Sequence, residues 1–290
     1  MRERARLPAW LKKGWPADVG VYRQTSAVIS ELGLNTICES GACPNRVECY
    51  AASHTTILLM GSKCTRRCPF CDVPFAPAGE LDPLEPVKTA WALRRLGMKY
   101  VVLTSVTRDD LADGGSAHIA ATVRRVREEV PGIRIEVLIP DFAGRMESVD
   151  EVLAAVPDVL SHNMETIPRL YRAVRPGASF EASLDILARA RAAGAHPMVK
   201  SSLMLGLGEE EEEVLSVFDE LASHGCEALC LGQYLQPPTS RLRVKEYLAP
   251  ERFFYYRARA EERGIPWVEA GPFVRTSYRA ASLLEKRNAR

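Results

Sequence analysis

The stretch Thr55-Thr56-Ile57-Leu58-Leu59-Met60-Gly61-Ser62-Lys63-Cys64-Thr65-Arg66-Arg67-Cys68-Pro69-Phe70-Cys71 joins an apolar, β-branched run to three cysteines in one short loop. Residues 55–60 predict a buried strand, so the loop leaves the strand's carboxyl end and projects three soft sulfur donors from one place. Outward from this unit, similar runs recur at Tyr100–Val106, Ile133–Pro140, Val156–Ser161, His196–Leu207 and Cys226–Leu235, giving six strand candidates in all. Helical spacing fills the intervals at Val87–Leu96, Ser116–Glu129, Val149–Ala155, Phe180–Ala193 and Glu209–Ser223. Gly97, Gly194 and Gly225 stand where a left-handed residue closes a last turn.

Strand-helix alternation implies parallel strands joined by right-handed crossovers. Six such units suit an α/β fold of the partial (β/α)6 TIM type, although a doubly wound open sheet satisfies the same alternation. In both, chemistry collects where the loops leave the carboxyl ends of the strands. Residues 1–53 show little periodicity and read as an irregular N-terminal extension, 54–265 as the barrel, and 266–290 as a C-terminal extension.

A chain of 290 residues can bury roughly three quarters of its unfolded surface in one large core. No apolar run approaches the length of a membrane span, and Met1–Lys13 alternates cations with Leu, Ala and Trp, so the expected setting is the cytoplasm, with no membrane partner. The 38 basic residues nearly balance the 37 acidic ones, which argues against a nucleic-acid protein driven by global charge. Arg2, Arg4, Arg6, Lys12 and Lys13 read as a solvated end. Glu209–Glu213 reads as an exposed acidic first turn of a helix.

Six of the eight cysteines lie between Cys38 and Cys71. Disulfide frameworks belong to small, loop-rich, exported chains, so metal or cluster ligation is the better reading here. A structural zinc would want four protein ligands, and no fourth His or Cys lies close to Cys64, Cys68 and Cys71 in sequence. A cubane cluster can use three, leaving one iron open to the amino and carboxylate groups of S-adenosylmethionine. The second triplet, Cys38, Cys43 and Cys49, is spaced by four and five residues and suggests a second cluster, with zinc as the alternative. Cys226 and Cys230 alternate with apolar residues and read as core.

The Cys64–Cys71 spacing, with Phe70 before the last cysteine, resembles the signature of the radical S-adenosylmethionine (SAM) superfamily. Over nearly the whole chain, Thr104–Asp110, Asp113–Gly115, Ile135–Phe142, His162–Thr166, Arg169–Pro176, Met204–Glu209 and Gly232–Pro237 resemble the lipoyl synthase family. That resemblance implies a sulfurtransferase with two 4Fe-4S clusters. Cys64, Cys68 and Cys71 would hold the one that works with SAM. Cys38, Cys43 and Cys49 would hold an auxiliary one, completed in the family by a serine of a C-terminal Arg-Ser-Ser-Tyr motif. Here the motif reads Arg275-Thr276-Ser277-Tyr278, and Ser277 is the natural carry-over.

By the same resemblance Asn163, Glu165 and Arg175 are candidates for the ribose, amino or carboxylate groups of SAM, and Met204 and Gly206 for its adenine. The implied reaction inserts sulfur at C6 and C8 of an octanoyl chain on a lysine of a lipoyl carrier domain or a glycine-cleavage H-type protein. The auxiliary cluster would donate the sulfur, and a ferredoxin- or flavodoxin-type protein the electrons. Bland readings stand beside these: a Gly-x-Gly turn at Gly206, and a solvated loop with internal ion pairs at Arg108–Asp110. Rival functions are a biotin-synthase-like or methylthio-transferring enzyme and a zinc-stabilised binding module.

Overall fold

The computed structural model describes residues 7–14, 19–194 and 197–282. Arg2, Arg4, Arg6 and His196, and positions 283–290 of the expected C-terminal extension, lie outside them. Among the described residues eight strands form one sheet in sequence order. They are β1 (Asn35–Thr36), β2 (Thr56–Leu59), β3 (Tyr100–Ser105), β4 (Arg134–Leu138), β5 (Val159–Ser161), β6 (Met198–Leu205), β7 (Ala228–Gln233) and β8 (Trp267–Gly271). β1 runs antiparallel to β2 and every later neighbour is parallel. The sheet stays open between β1 and β8, which makes a partial barrel, and its unreversed strand order departs from a doubly wound sheet.

Parallel neighbours need crossovers, supplied by α4 (Glu85–Arg95), α5 (Ser116–Glu129), α6 (Met146–Leu153), α7 (Phe180–Ala192), α8 (Glu211–Ser223) and α9 (Pro250–Glu262). Each buries one stripe against the outer face of the sheet, where Ile57, Leu59, Leu103, Val137, Leu160 and Leu229 form the main core. Gly97, Gly194 and Gly225 adopt left-handed φ of 62°, 111° and 79° just past helix ends. No helix among the described residues is long and apolar enough to cross a membrane.

Both segments expected to be irregular carry structure. The N-terminal one holds α1 (Gly20–Glu31), α2 (Ile37–Ser40) and α3 (Arg46–Ala51) as well as β1, and the C-terminal one holds β8. α1 escapes pattern reading because it buries only Thr25, Val28 and Ile29, a thin stripe with no start signal. β1 and β8 are short and partly polar, and they are strands because a neighbour offers an edge. Val156, expected to open a strand, is instead an exposed turn residue with φ of 56° before β5.

After β8 the chain folds back into the open lumen as a strap, residues 272–282. Val274 packs with Val159, Met198, Ala228 and Cys230, flanked by Tyr100, Trp267 and Tyr278. Gly232 makes room for it: a Cβ there would lie 2.1 Å from the Val274 carbonyl oxygen. Cys230 is buried here and Cys226 in the main core, as core residues should be.

Candidate functional site

A cavity of about 450 Å³ opens at the carboxyl ends of the strands, lined on one side by Cys64, Cys68 and Cys71 and on another by Cys38 and Cys43. The Cys64 loop is held by its backbone. Cys64 N donates to Pro74 O at 2.9 Å, Thr65 N to Thr107 O at 3.1 Å and Cys71 N to Cys68 O at 3.0 Å. Inside the loop Arg66 points back at the barrel, donating to Asp141 at 2.6 Å and to both oxygens of Asp109 at 2.7 and 2.9 Å. Asp109 therefore anchors the cysteine loop. Arg108, only 3 % exposed, is fixed by Asp110 at 2.8 Å and Gly79 O at 3.0 Å, so the internal ion pair of the bland reading is present and Asp109 and Asp110 are exposed, but Arg108 itself is buried rather than solvated.

The second triplet comes from two short helices. Thr36 Oγ1 caps α2 at Glu39 N and places Cys38, α3 carries Cys49, and Thr36 also bonds the Tyr50 hydroxyl at 2.7 Å. Cys38, Cys43 and Cys49 line a small recess beside the main cavity, together with Arg275, Ser277 and Tyr278 of the strap. A clasp joins the two sequence ends. Asn45 Nδ2 donates to Phe273 O at 2.7 Å across 228 residues, and the Tyr278 hydroxyl donates to Glu48 at 2.7 Å. Lys13 bonds Asn45 and Glu48 while sitting 5.0 Å above the Phe273 ring and 5.2 Å above Tyr278. Ser277 is thus brought to the extension's cysteines.

Burial pushes the thiols of Cys38 and Cys68 up to about 11 and those of Cys49 and Cys71 up to about 12. They hold their protons in the metal-free chain and must release them to a metal. Each triplet faces a shared volume: among the described residues no three His, Cys, Asp or Glu side chains converge on a single-ion site.

Opposite the cysteines, Asn163, Glu165, Arg175 and Met204 line the same cavity. Arg175 Nη1 donates to Asn163 O at 2.8 Å and to the Tyr171 hydroxyl at 2.9 Å. Glu165 has φ of 64°, a strained conformation for a side chain of this kind, held by a bridge to Leu203 and by Asn163 Nδ2 at 2.9 Å. Burial raises its carboxyl, opposed by Arg175, Asn163 and Arg275. Burial likewise lowers the Arg275 guanidinium, opposed by Cys43 and Glu165, so Arg275 stands between the recess and the cavity. Gly206 does not line the cavity. Its left-handed backbone packs where a Cβ would meet Gln233 Nε2 at 2.3 Å and Glu246 O at 2.4 Å.

Several contributors were invisible to sequence reading. Lys200 and Glu136, 1 % and 0 % exposed, face each other across the lumen at 3.0 Å. Lys200 also donates to Thr276 O at 2.6 Å, the residue before Ser277, and Glu136 accepts from Tyr100 at 2.6 Å and Ser161 at 2.5 Å. The available signal was a charged residue in the middle of each apolar run. Glu209, read as part of an exposed acidic turn, instead accepts from Gly206 N and Leu207 N at 2.5 and 2.8 Å, while Glu210 and Glu213 form the helix's capping box.

Fully buried His162, which also lines the cavity, bonds Ile139 O and Ser183 Oγ, both at 3.0 Å. Burial, reinforced by Arg175, lowers its pKa from 6.5 to about 4. The unfolded imidazole binds its proton first, so stability falls as pH drops from 6.5 toward 4, by roughly 3 kcal/mol from this group. Denaturant unfolding followed against pH should show that slope, and His162→Gln should flatten it.

Residues 58–221 match the radical SAM superfamily. Over 279 residues the chain is 45 % identical to the lipoyl synthase of Proteus mirabilis, covering 96 % of this chain and 87 % of that one. It is 48 % identical over 281 residues to that of Nitrosococcus oceani, covering 96 % and 86 %, and 45 % identical over 283 residues to that of Oleidesulfovibrio alaskensis, covering 98 % and 96 %. Among solved structures, methylornithine synthase superposes with a TM-score of 0.55 at 16 % identity, covering 86 % of this chain and 70 % of that one. Streptococcus suis SuiB bound to S-adenosylmethionine gives 0.56 at 11 %, covering 75 % and 50 %; these two likenesses concern the fold.

Proposed function

The chain belongs to the lipoyl synthase family of the radical SAM superfamily, and from that premise we propose how its residues divide the work. The enzyme is a sulfurtransferase: it inserts two sulfur atoms, at C6 and C8, into an octanoyl group on a lysine of a lipoyl carrier, using two 4Fe-4S clusters and SAM. When bound, those groups supply a radical that takes hydrogen from unactivated C–H bonds and the sulfur that replaces it, chemistry outside the reach of any side-chain base.

We assign Cys64, Cys68 and Cys71 to the cluster that works with SAM. Their support is a loop of three soft donors, braced by Arg66, Asp109 and Asp141, whose opposite wall is polar rather than a fourth thiol. Cys38, Cys43, Cys49 and Ser277 are assigned to the auxiliary cluster. The observation that carries the proposal is their meeting in one recess although they come from opposite ends of the sequence. Serine oxygen is a harder and weaker partner for iron than thiolate, which suits a cluster that gives up sulfur.

The chain's own task is placement. Glu165 offers a carboxylate to an ammonium group, Arg175 and Arg275 offer cations to a carboxylate, and Asn163 and Met204 fill the wall between them. Leu58, Val106, Leu138 and Leu203 supply an apolar lining that keeps water from a reactive centre. Gly206 is kept in the SAM site only indirectly, through the turn that Glu209 braces beside Met204. In this division 1–53 and 266–290 together build the auxiliary site on the 54–265 barrel. The carrier is a lipoyl domain or an H-type protein, the reductant a ferredoxin or flavodoxin type, and the setting the cytoplasm.

Anaerobic incubation with an octanoyl-lysine peptide, a chemical reductant and SAM should give a product in which two sulfurs replace two hydrogens, read by mass. A product without sulfur would sink the assignment.

A further inference from the structure

Beside the cavity mouth lies a strip of unpaired cations. After β7, Tyr234–Pro238 runs along the cavity wall. Thr239 then bonds Asp72, and Ser240 Oγ bonds Pro69 O at 2.5 Å, pinning the chain to the Cys64 loop. From there the side chains alternate. Leu242 and Val244 turn inward onto Val174, Leu207 and Tyr234, while Arg241, Arg243 and Lys245 are exposed. From the cysteine loop itself come exposed Lys63 and Arg67, the latter 4.5 Å above the ring of Phe75, which is 49 % exposed.

Many surface arginines elsewhere find carboxylates, Arg169 with Glu213, Arg189 with Asp150 and Arg252 with Glu211, and those among the described residues that do not, such as Arg23, Arg124 and Arg172, are scattered rather than gathered in one strip. Among the described residues Lys63, Arg67, Arg241, Arg243 and Lys245 form no ion pair, in a chain whose charges almost balance. Here self-pairing has been left out where the cavity opens.

We propose that this strip, with Phe75 beside it, is the docking surface for an acidic face of the protein that carries the octanoyl chain; the proposal rests on the sulfurtransferase reading above. A cavity of about 450 Å³ admits a lysine-borne acyl chain and excludes the folded body attached to it. That body must rest against the rim, and a cationic rim repels a basic partner and steers an acidic one. The alternation of inward Leu242 and Val244 with outward cations fixes the charges in register, and the Arg67–Phe75 stack gives the patch an apolar contact.

The test uses the intact holoenzyme, a chemical reductant and two substrates: an octanoylated carrier domain and a short octanoyl-lysine peptide. In an Arg241→Glu/Arg243→Glu variant the KM for the carrier should rise about tenfold or more with kcat unchanged, while the KM for the peptide stays put. Raising the salt should erase the native enzyme's preference for the carrier. Peptide turnover also reports that the variant is folded. Parallel changes for both substrates, or none for either, would overturn the proposal. So would an unchanged carrier KM alongside a weakened response to a protein reductant, which assigns the strip to the electron donor. If the native enzyme inserts no sulfur into either substrate, the failure lies in the sulfurtransferase reading and the docking proposal falls with it.

Discussion

Cys68→Ala is expected to abolish formation of 5′-deoxyadenosine, whereas Cys43→Ala should retain it and give no sulfur-bearing product. The contrast follows from how the two sets of thiols are built. Cys68 sits in a loop with three sulfur donors facing Asn163, Glu165 and Arg175, and the other thiols of the cavity, Cys38 and Cys43, belong to the second set, so its loss leaves the loop one donor short. Cys43 lies between two short helices of the N-terminal segment. The Arg66 contacts that brace the other loop run to Asp109 and Asp141 and do not pass through it. Removing it should spoil one site and spare the other. Chromatography of the nucleoside and mass analysis of the acyl product read the two outcomes separately. Persistent 5′-deoxyadenosine in Cys68→Ala would reverse the assignment of the triplets.

Lys200→Met should lower unfolding free energy by about 3–5 kcal/mol, because it leaves the Glu136 carboxylate buried without its cation. Burial alone would push the Lys200 ammonium down, but the Glu136 carboxylate together with Cys230 and Cys226 turns the shift upward and the lysine stays charged. The same change frees Thr276 O. The double variant Lys200→Met/Glu136→Gln should recover most of the loss, since the Gln amide oxygen accepts from one of the Tyr100 and Ser161 hydroxyls, its NH2 donates to the other, and no net charge remains buried. Denaturant melts of the four proteins complete the cycle. If the double variant is no more stable than Lys200→Met, the charge pair is not what holds the strap.

The barrel was legible because largely apolar, β-branched runs alternate with helical segments whose ends Gly97, Gly194 and Gly225 mark, and Ser116–Glu129 coincides with its observed helix. The loop cysteines were legible because their spacing is local. Nonlocal features were not, since β8 exists only because β7 presents an edge; α1, though local, has no side-chain cap to mark its start and went unread. Glu136 and Lys200 meet across 64 residues, and no spacing rule spans that gap. Glu209 was misread because its neighbours do form the solvated first turn, while it alone folds inward to hold two backbone amides. Ser277 was legible only through family resemblance, and its place beside Cys38 and Cys43 depends on the Asn45–Phe273 and Tyr278–Glu48 contacts.

The strap has a consequence for how the protein is made. Cys38, Cys43 and Cys49 leave the ribosome early, but the segment that closes their recess and fills the lumen emerges only after β8. Until β8 has been made the three thiols face an open groove, and iron delivered then would find a half-built container. A product cut short before the strap leaves this recess unfinished, so the auxiliary site is completed only once β8 and the strap have joined the N-terminal segment.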